Sequence, residues 1–161
     1  MLVDKNRMPE VKRRIKQLTK RKIRVGILGN EQLALIAKVN EYGQRIKVTQ
    51  RMRNYLRYLG LYLSNKTAFI TIPERSFLRT SFDDKRNIKK VIDLAADIFT
   101  ERPVMNIADR IGLFMTGAIQ KKIKSNIPPG NHPFTTEQKD GKNKTLVDAG
   151  RLGQGITHKV L

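Results

Sequence analysis

Two stretches near the middle of the chain constrain the fold most. From Asp83 or Asp84 to about Phe99, the residues Ile88, Val91, Ile92, Ala95, Ile98 and Phe99 recur at helical spacing. From Val104 to Lys124 the same design returns through Ile107, Ala108, Ile111, Met115, Ala118, Ile119 and Ile123, and Pro103 enforces the break between the two. Each helix carries one broad apolar stripe that has to be covered, so together they form one layer of a core. Gly112 and Gly117 lower helix propensity in the second helix, which predicts either close backbone packing or a bend there.

Strand signals lie on both sides of this pair. In residues 22–28 Ile23, Val25 and Ile27 alternate as in a half-buried strand, and Gly29-Asn30 follows with turn chemistry. The short return segment Leu33 to Val39 reads as the second strand of a hairpin, in preference to a helix. Residues 67–72 (TAFITI) form a β-branched strand closed by Pro73, and Ile156 to Leu161 supply a last strand that joins the sheet. Thr49 caps a short helix from Gln50 to Leu59, with Met52, Leu56 and Leu59 on one side, Arg51, Arg53 and Arg57 on the others, and Gly60 at its end. Tyr55, Tyr58 and Tyr62 lie among these arginines. Such rings either stack on bases or sit in a core or subunit interface with a polar tip. The second reading is preferred, because no recognisable single-strand-binding module accompanies them.

Residues 9–20 make a basic amphipathic helix, with Val11, Ile15 and Leu18 on a narrow apolar stripe that packs on the domain and Arg13, Arg14, Lys16 and Lys20 around it. Residues 125–144 are rich in Pro, Gly, Asn and Lys and show no periodicity; a loop of about 20 residues inside a domain suggests a segment that orders on a partner. Thr145 to Leu152 reads as a turn of helix. The expected fold is therefore α+β, a small antiparallel sheet packed against two long helices. Residues 1–21 form a basic N-terminal arm, residues 22–161 a single domain, and the 125–144 loop a second arm.

Charge narrows the function classes. Among 161 residues, 33 are Lys or Arg and 14 are Asp or Glu, a formal charge of +19. The excess is uneven, since residues 82–110 carry six cations and six anions. A self-repelling surface of this kind is rationalised by a polyanion or an acidic protein partner, with Arg13, Arg14, Lys20, Arg51, Arg53 and Arg57 as candidate contacts to either. The chain has no Cys, which removes disulfides, thiolate metal sites and thiol nucleophiles together. His132 lies in a Pro-rich loop and His158 in the last strand, neither with a carboxylate or Ser at motif spacing. Asp93 and Asp97 are one helical turn apart but sit among Arg86, Lys89 and Lys90, as members of a solvated ion-pair face. The expectation is a protein without catalytic constellation, cofactor or metal. The N-terminus has no apolar run of signal or membrane-span length, so no membrane partner is expected.

Three features in order then resemble a known family. They are Asn40 to Gly43 (NEYG), Ile72 to Arg79 (IPERSFLR), and the pair Pro128 to Thr135 (PPGNHPFT) with Thr145 to Leu152 (TLVDAGRL) before a closing strand. This order is similar to that of the tail-completion, or neck, proteins of long-tailed bacteriophages, also described as virion morphogenesis proteins. The resemblance runs from about Val25 to the C-terminus. It implies a small α+β structural protein of the virion, without enzymatic activity, forming a ring, hexameric in expectation, between the head-side connector and the tail terminator or tail tube. DNA in the channel is a further expected partner.

Carried onto this sequence, the resemblance marks Glu41, Tyr42, Gly43, Pro73, Arg75, Phe77, Arg79, Asp148, Gly150 and Arg151. Gly43 would turn with positive φ, Pro73 would stop a strand, and Phe77 with Leu78 would anchor the core. Arg75 and Arg79 would pair with carboxylates such as Glu41 or Asp148. Asp148 would cap the turn at Ala149, where the family pattern commonly has Thr. Gly150 would permit close packing, and Gly153 and Gly155 would loosen the approach to the last strand.

Overall fold

The computed structural model describes residues 7–139, 144–147 and 150–161. In chain order these form α1 (Met8–Thr19), β1 (Ile23–Ile27), α2 (Glu31–Tyr42), β2 (Gln44–Lys47), α3 (Gln50–Tyr58) and β3 (Phe69–Ile72). Next come α4 (Arg79–Phe82), α5 (Lys85–Ala95) with a 3-10 turn (Ala96–Phe99), α6 (Val104–Lys124), α7 (Pro133–Glu137), α8 (Arg151–Gln154) and β4 (Ile156–Val160). The class is α+β, with antiparallel strands packed against helices; of the two long helices expected to form the core layer, α6 carries the strands, whereas α5 packs on α6 and has no buried residue.

The strands form two separate ribbons. β1 pairs antiparallel with β4, from Ile23 opposite Val160 to Ile27 opposite Ile156. β2 pairs antiparallel with β3, from Gln44 opposite Ile72 to Lys47 opposite Phe69. The β1–β4 ribbon lies on α6, and α5 packs beside α6. The apolar stripe of α6 supplies Ile107, Ala108, Met115, Ile119 and Ile123 to the interior, and the central cluster joins Ile119 and Ile123 to Ala37, Phe77, Leu146, Leu152 and Ile156. Phe77 is fully buried there; truncating such a ring costs about 3–5 kcal/mol, which ranks it among the main anchors.

The hairpin expected over residues 22–39 does not form. Leu33 to Val39 belongs to α2, because Asn30 is an N-cap: its side chain accepts from the Leu33 amide at 2.9 Å. β1 takes its partner from the far end of the chain instead. On α2 the inward positions Leu33, Ala37 and Glu41 are four apart, a helical spacing disguised by a charged residue at the third site.

Among the described residues, neither expected arm stands clear of the domain. Arg14 of α1 donates from Nε to the Ile98 carbonyl at 2.9 Å and from Nη2 to the Arg102 carbonyl, tying the helix to the end of α5 and the approach to α6. The described part of the segment after α6 is held by bonds between its two ends. The Thr145 amide bonds Asn126 Oδ1 at 3.0 Å, the Thr145 hydroxyl donates to the Ile127 carbonyl at 3.0 Å, and α7 occupies its middle. Gly112 is a point of close approach, since a Cβ there would meet the His158 ring, whereas Gly117 has open space around it. Gly155 is not a loosening element: the Leu33 side chain packs against it.

Candidate functional site

The residues singled out by the NEYG and IPERSFLR stretches converge on one carboxylate. α2 ends at Tyr42, and Gly43 turns the chain with φ 68°; a Cβ at Gly43 would lie 2.9 Å from both the Glu74 amide nitrogen and the Ile72 carbonyl oxygen. This brings the residues after β3 across the end of α2, where the Arg75 amide donates to the Asn40 carbonyl at 2.7 Å. Pro73 follows the last residue of β3.

Glu41 is 2% exposed. Its Oε1 accepts from the Ser76 hydroxyl at 2.6 Å, the Arg79 amide at 2.9 Å and Arg79 Nε at 3.2 Å. Its Oε2 accepts from the amides of Phe77 at 2.8 Å and Leu78 at 2.9 Å. The chain from Ser76 to Arg79 thus wraps its free N–H groups around one oxygen pair at the start of α4, where such donors have no helical partner. Burial by itself pushes the Glu41 carboxyl up, but the hydrogen bonds from Ser76, Arg79, Leu78 and Phe77 outweigh it and hold the group below its ordinary value.

Arg79 closes the outer side of the knot. Its Nη2 donates to the Glu41 carbonyl at 3.0 Å and to Glu74 Oε1 at 2.5 Å, and its guanidinium sits 4.8 Å from the centre of the Tyr42 ring. Arg75 faces the other way and is buried. It donates to the carbonyls of Pro129 at 2.8 Å and Gly130 at 3.0 Å, so its described partners are carbonyls and not a carboxylate. Of the expected arginine–carboxylate pairs, Arg79 with Glu41 forms; Asp148 and the cap at Ala149 lie outside the described residues. Gly150 has φ 76°, and among the described residues a Cβ there would make only an ordinary contact, 3.6 Å from the Gln154 side chain, so the left-handed backbone and not close packing calls for glycine. Arg151 lines a cleft of about 650 Å³ shared with Asn40 and Arg75.

The knot is the root of an excursion, residues 44–72, made of β2, α3 and β3. Thr49 caps α3 as expected, accepting from the Met52 amide at 3.2 Å. No residue of α3 is buried, and Tyr55, Tyr58 and Tyr62 are exposed, which removes the core reading of these rings. Arg53 points inward and donates to the carbonyls of Ser64 at 2.9 Å, Asn65 at 3.4 Å and Thr67 at 2.5 Å, holding the loop that returns to β3. Arg14 and Arg53 are therefore structural, whereas Arg13, Lys20, Arg51 and Arg57 face solvent.

One polar set was not visible from spacing. His158 Nε2 lies 3.0 Å from Asp109 Oδ1, and its Nδ1 lies 3.4 Å from the Thr116 hydroxyl. That hydroxyl donates to the Gly112 carbonyl at 2.9 Å, one turn back on α6, so its proton already has an acceptor. The set fastens β4 to α6. Among the described residues, no three His, Cys, Asp or Glu side chains cluster so as to hold a metal ion, and no helix is long and apolar enough to cross a membrane.

No protein-family model, no curated protein and no solved structure matches this chain.

Proposed function

We propose that this chain is a structural protein of the phage neck, of the tail-completion kind, and that copies of it close into a hexameric ring joining the head-side connector to the tail terminator or tail tube. Its place is then the virion, and its role is assembly and not catalysis. The observation that carries this reading is the Glu41 knot. The two motifs most responsible for the resemblance, NEYG and IPERSFLR, are 28 residues apart in sequence yet form one bonded unit, as expected if both belong to a single structural signature.

Surface apolarity supports an assembly role. Leu35 and Ile36 on α2, Ile92 on α5, Phe99, and Leu113 on α6 are all exposed. A shallow apolar groove of about 220 Å³ opens between β1, α5 and α6, lined by residues that include Val25, Ile88, Ile92 and Met115. Apolar surface of this extent suits contacts with other subunits. A heterologous contact repeated around an axis closes only at a fixed rotation, so ring formation is a measurable property.

Light scattering coupled to size exclusion, followed by negative-stain imaging, tests the reading. A six-fold ring, or the protein recovered at the head–tail junction of purified particles, is the expected result. A strict monomer that is absent from particles overturns it.

A further inference from the structure

Residues 44–72 carry six cations, Arg45, Lys47, Arg51, Arg53, Arg57 and Lys66, and no Asp or Glu. Among the described residues none of the six forms an ion pair. The side-chain hydrogen bonds of the excursion all end within it, so its charge is not used to hold it on the domain. Arg53 is spent on backbone carbonyls. Arg45 lies over the Phe69 ring at 4.0 Å.

The solvent face of α3 has a definite composition. At 100° per residue, Arg51, Tyr55 and Tyr58 fall within about 60° of one another, with Asn54 at the edge; Met52, Arg53 and Leu56 turn to the opposite side, and Arg57, about 100° from Tyr58, flanks a hollow shared with Arg53 and Tyr62. Tyr58 is 86% exposed, Tyr62 76% and Tyr55 61%, so three ring faces stand in water beside unpaired guanidinium groups. None of these rings and cations is buried against the domain.

The occupant is narrowed by charge and by ring chemistry. The rest of the chain carries the remaining +13, so a second copy is an electrostatically poor partner for a patch without a single anion. Arginine and tyrosine are also enriched at protein interfaces, so an acidic protein surface is the competing occupant that the test has to separate. Phosphates spaced along a flexible strand, with unpaired bases between them, match both elements: guanidinium groups meet the phosphates, and tyrosine rings accept stacked bases without sequence preference.

We propose that the 44–72 excursion binds single-stranded nucleic acid, with Arg51 and Arg57 on phosphates and Tyr55 and Tyr58 stacking on bases. The proposal stands independently of the neck reading. It is tested with the full chain by fluorescence anisotropy on a labelled 20-nucleotide single strand and on the corresponding duplex, across a salt series. The double variant R51A/R57A should lower the slope of log K against log salt on the single strand by about 1.4, two phosphates at about 0.7 each. Y55A/Y58A should weaken single-strand binding by roughly 5- to 150-fold for each base that loses its stack, with little effect on the duplex. All four positions are exposed, and circular dichroism and the melting temperature confirm that the variants remain folded. An unchanged slope in R51A/R57A, with loss instead in R13A/K20A, overturns the assignment to this excursion. Equal binding of duplex and single strand that ignores the tyrosines overturns the single-strand assignment. Displacement of the strand by polyglutamate at equal charge concentration overturns it in favour of an acidic protein.

Discussion

Glu41 and Arg79 meet twice through the side chain and once through the backbone: the carboxylate accepts from the Arg79 amide and from its Nε, while Arg79 Nη2 donates back to the Glu41 carbonyl. The two side chains differ in weight. The carboxylate is buried and satisfies three backbone amides, whereas the guanidinium is half exposed, where ion pairs contribute at most about 1 kcal/mol.

Glu41→Gln should therefore destabilise the protein by about 2–4 kcal/mol. It removes the charge that strengthens these hydrogen bonds and turns an amide NH₂ toward backbone donors. Arg79→Ala should cost clearly less, since it leaves the carboxylate and its amide partners in place. Urea unfolding at pH 7 gives both values; a larger loss in R79A than in E41Q would show that the ion pair, and not the amide cradle, holds the knot.

The same carboxylate sets a pH dependence. Its folded pKa lies below its ordinary value, so the unfolded chain binds the proton more readily and stability rises with pH across that window. The contribution is complete above the ordinary carboxylate value and is lost as pH falls through the folded pKa. Asp84, held down to about 2 chiefly by its hydrogen bonds to Arg86, acts in the same direction between its ordinary 3.8 and that value. The difference in unfolding midpoint between wild type and E41Q should be constant from pH 7 to 5 and should shrink below about pH 4.5. A gap that widens on acidification would reverse the sign.

Two glycines with positive φ should respond differently to alanine. Gly60 (φ 91°) has nothing near its missing Cβ, so Gly60→Ala should cost about 1 kcal/mol of left-handed strain alone. Gly43 carries that strain and also faces backbone atoms at 2.9 Å, so Gly43→Ala should cost more than about 2 kcal/mol. Thermal melts of the pair measure the difference, which is the close approach itself.

Two glycines within α6 form a second comparison. Gly117→Ala meets no atom and should stabilise by about 0.5–1 kcal/mol through helix propensity. Gly112→Ala forces the His158 ring off its seat between Asp109 and Thr116 and should destabilise by about 1–3 kcal/mol. Histidine ring resonances, followed by NMR, should shift in G112A and stay in place in G117A.

The parts of this fold legible in the sequence are those with a local cause. The stripe of α6, the Thr49 cap, the stop at Pro73 and the strand at Ile23 to Ile27 each follow from residues within a few positions of one another. α2 is illegible for a physical reason. Gly29-Asn30 serves a hairpin turn and a helix start equally well, and the third inward residue of the helix is a glutamate, which an apolar count scores as solvent. β1 and β4 pair across more than 120 residues, and nothing local names that partner. In the candidate site, the turn at Gly43 and the pairing of Arg79 with Glu41 agree with what the motif residues lead one to expect, but their joining in one knot, with the glutamate gripping backbone amides, is not legible. Arg14 and Arg53 look like surface cations because carbonyl acceptors leave no trace in a sequence.

Gln44 and Ile72 are register partners, so the chain leaves the domain and returns to it at one spot, directly beside the knot. The excursion hangs from that spot like a cassette in a holder. A tight turn grafted between the two ribbon strands would keep the pairing and the knot while discarding α3, its tyrosines and its arginines. The chemistry displayed at the tip and the durability of the body are thus separable traits, and either can be rewritten by changes that leave the other untouched.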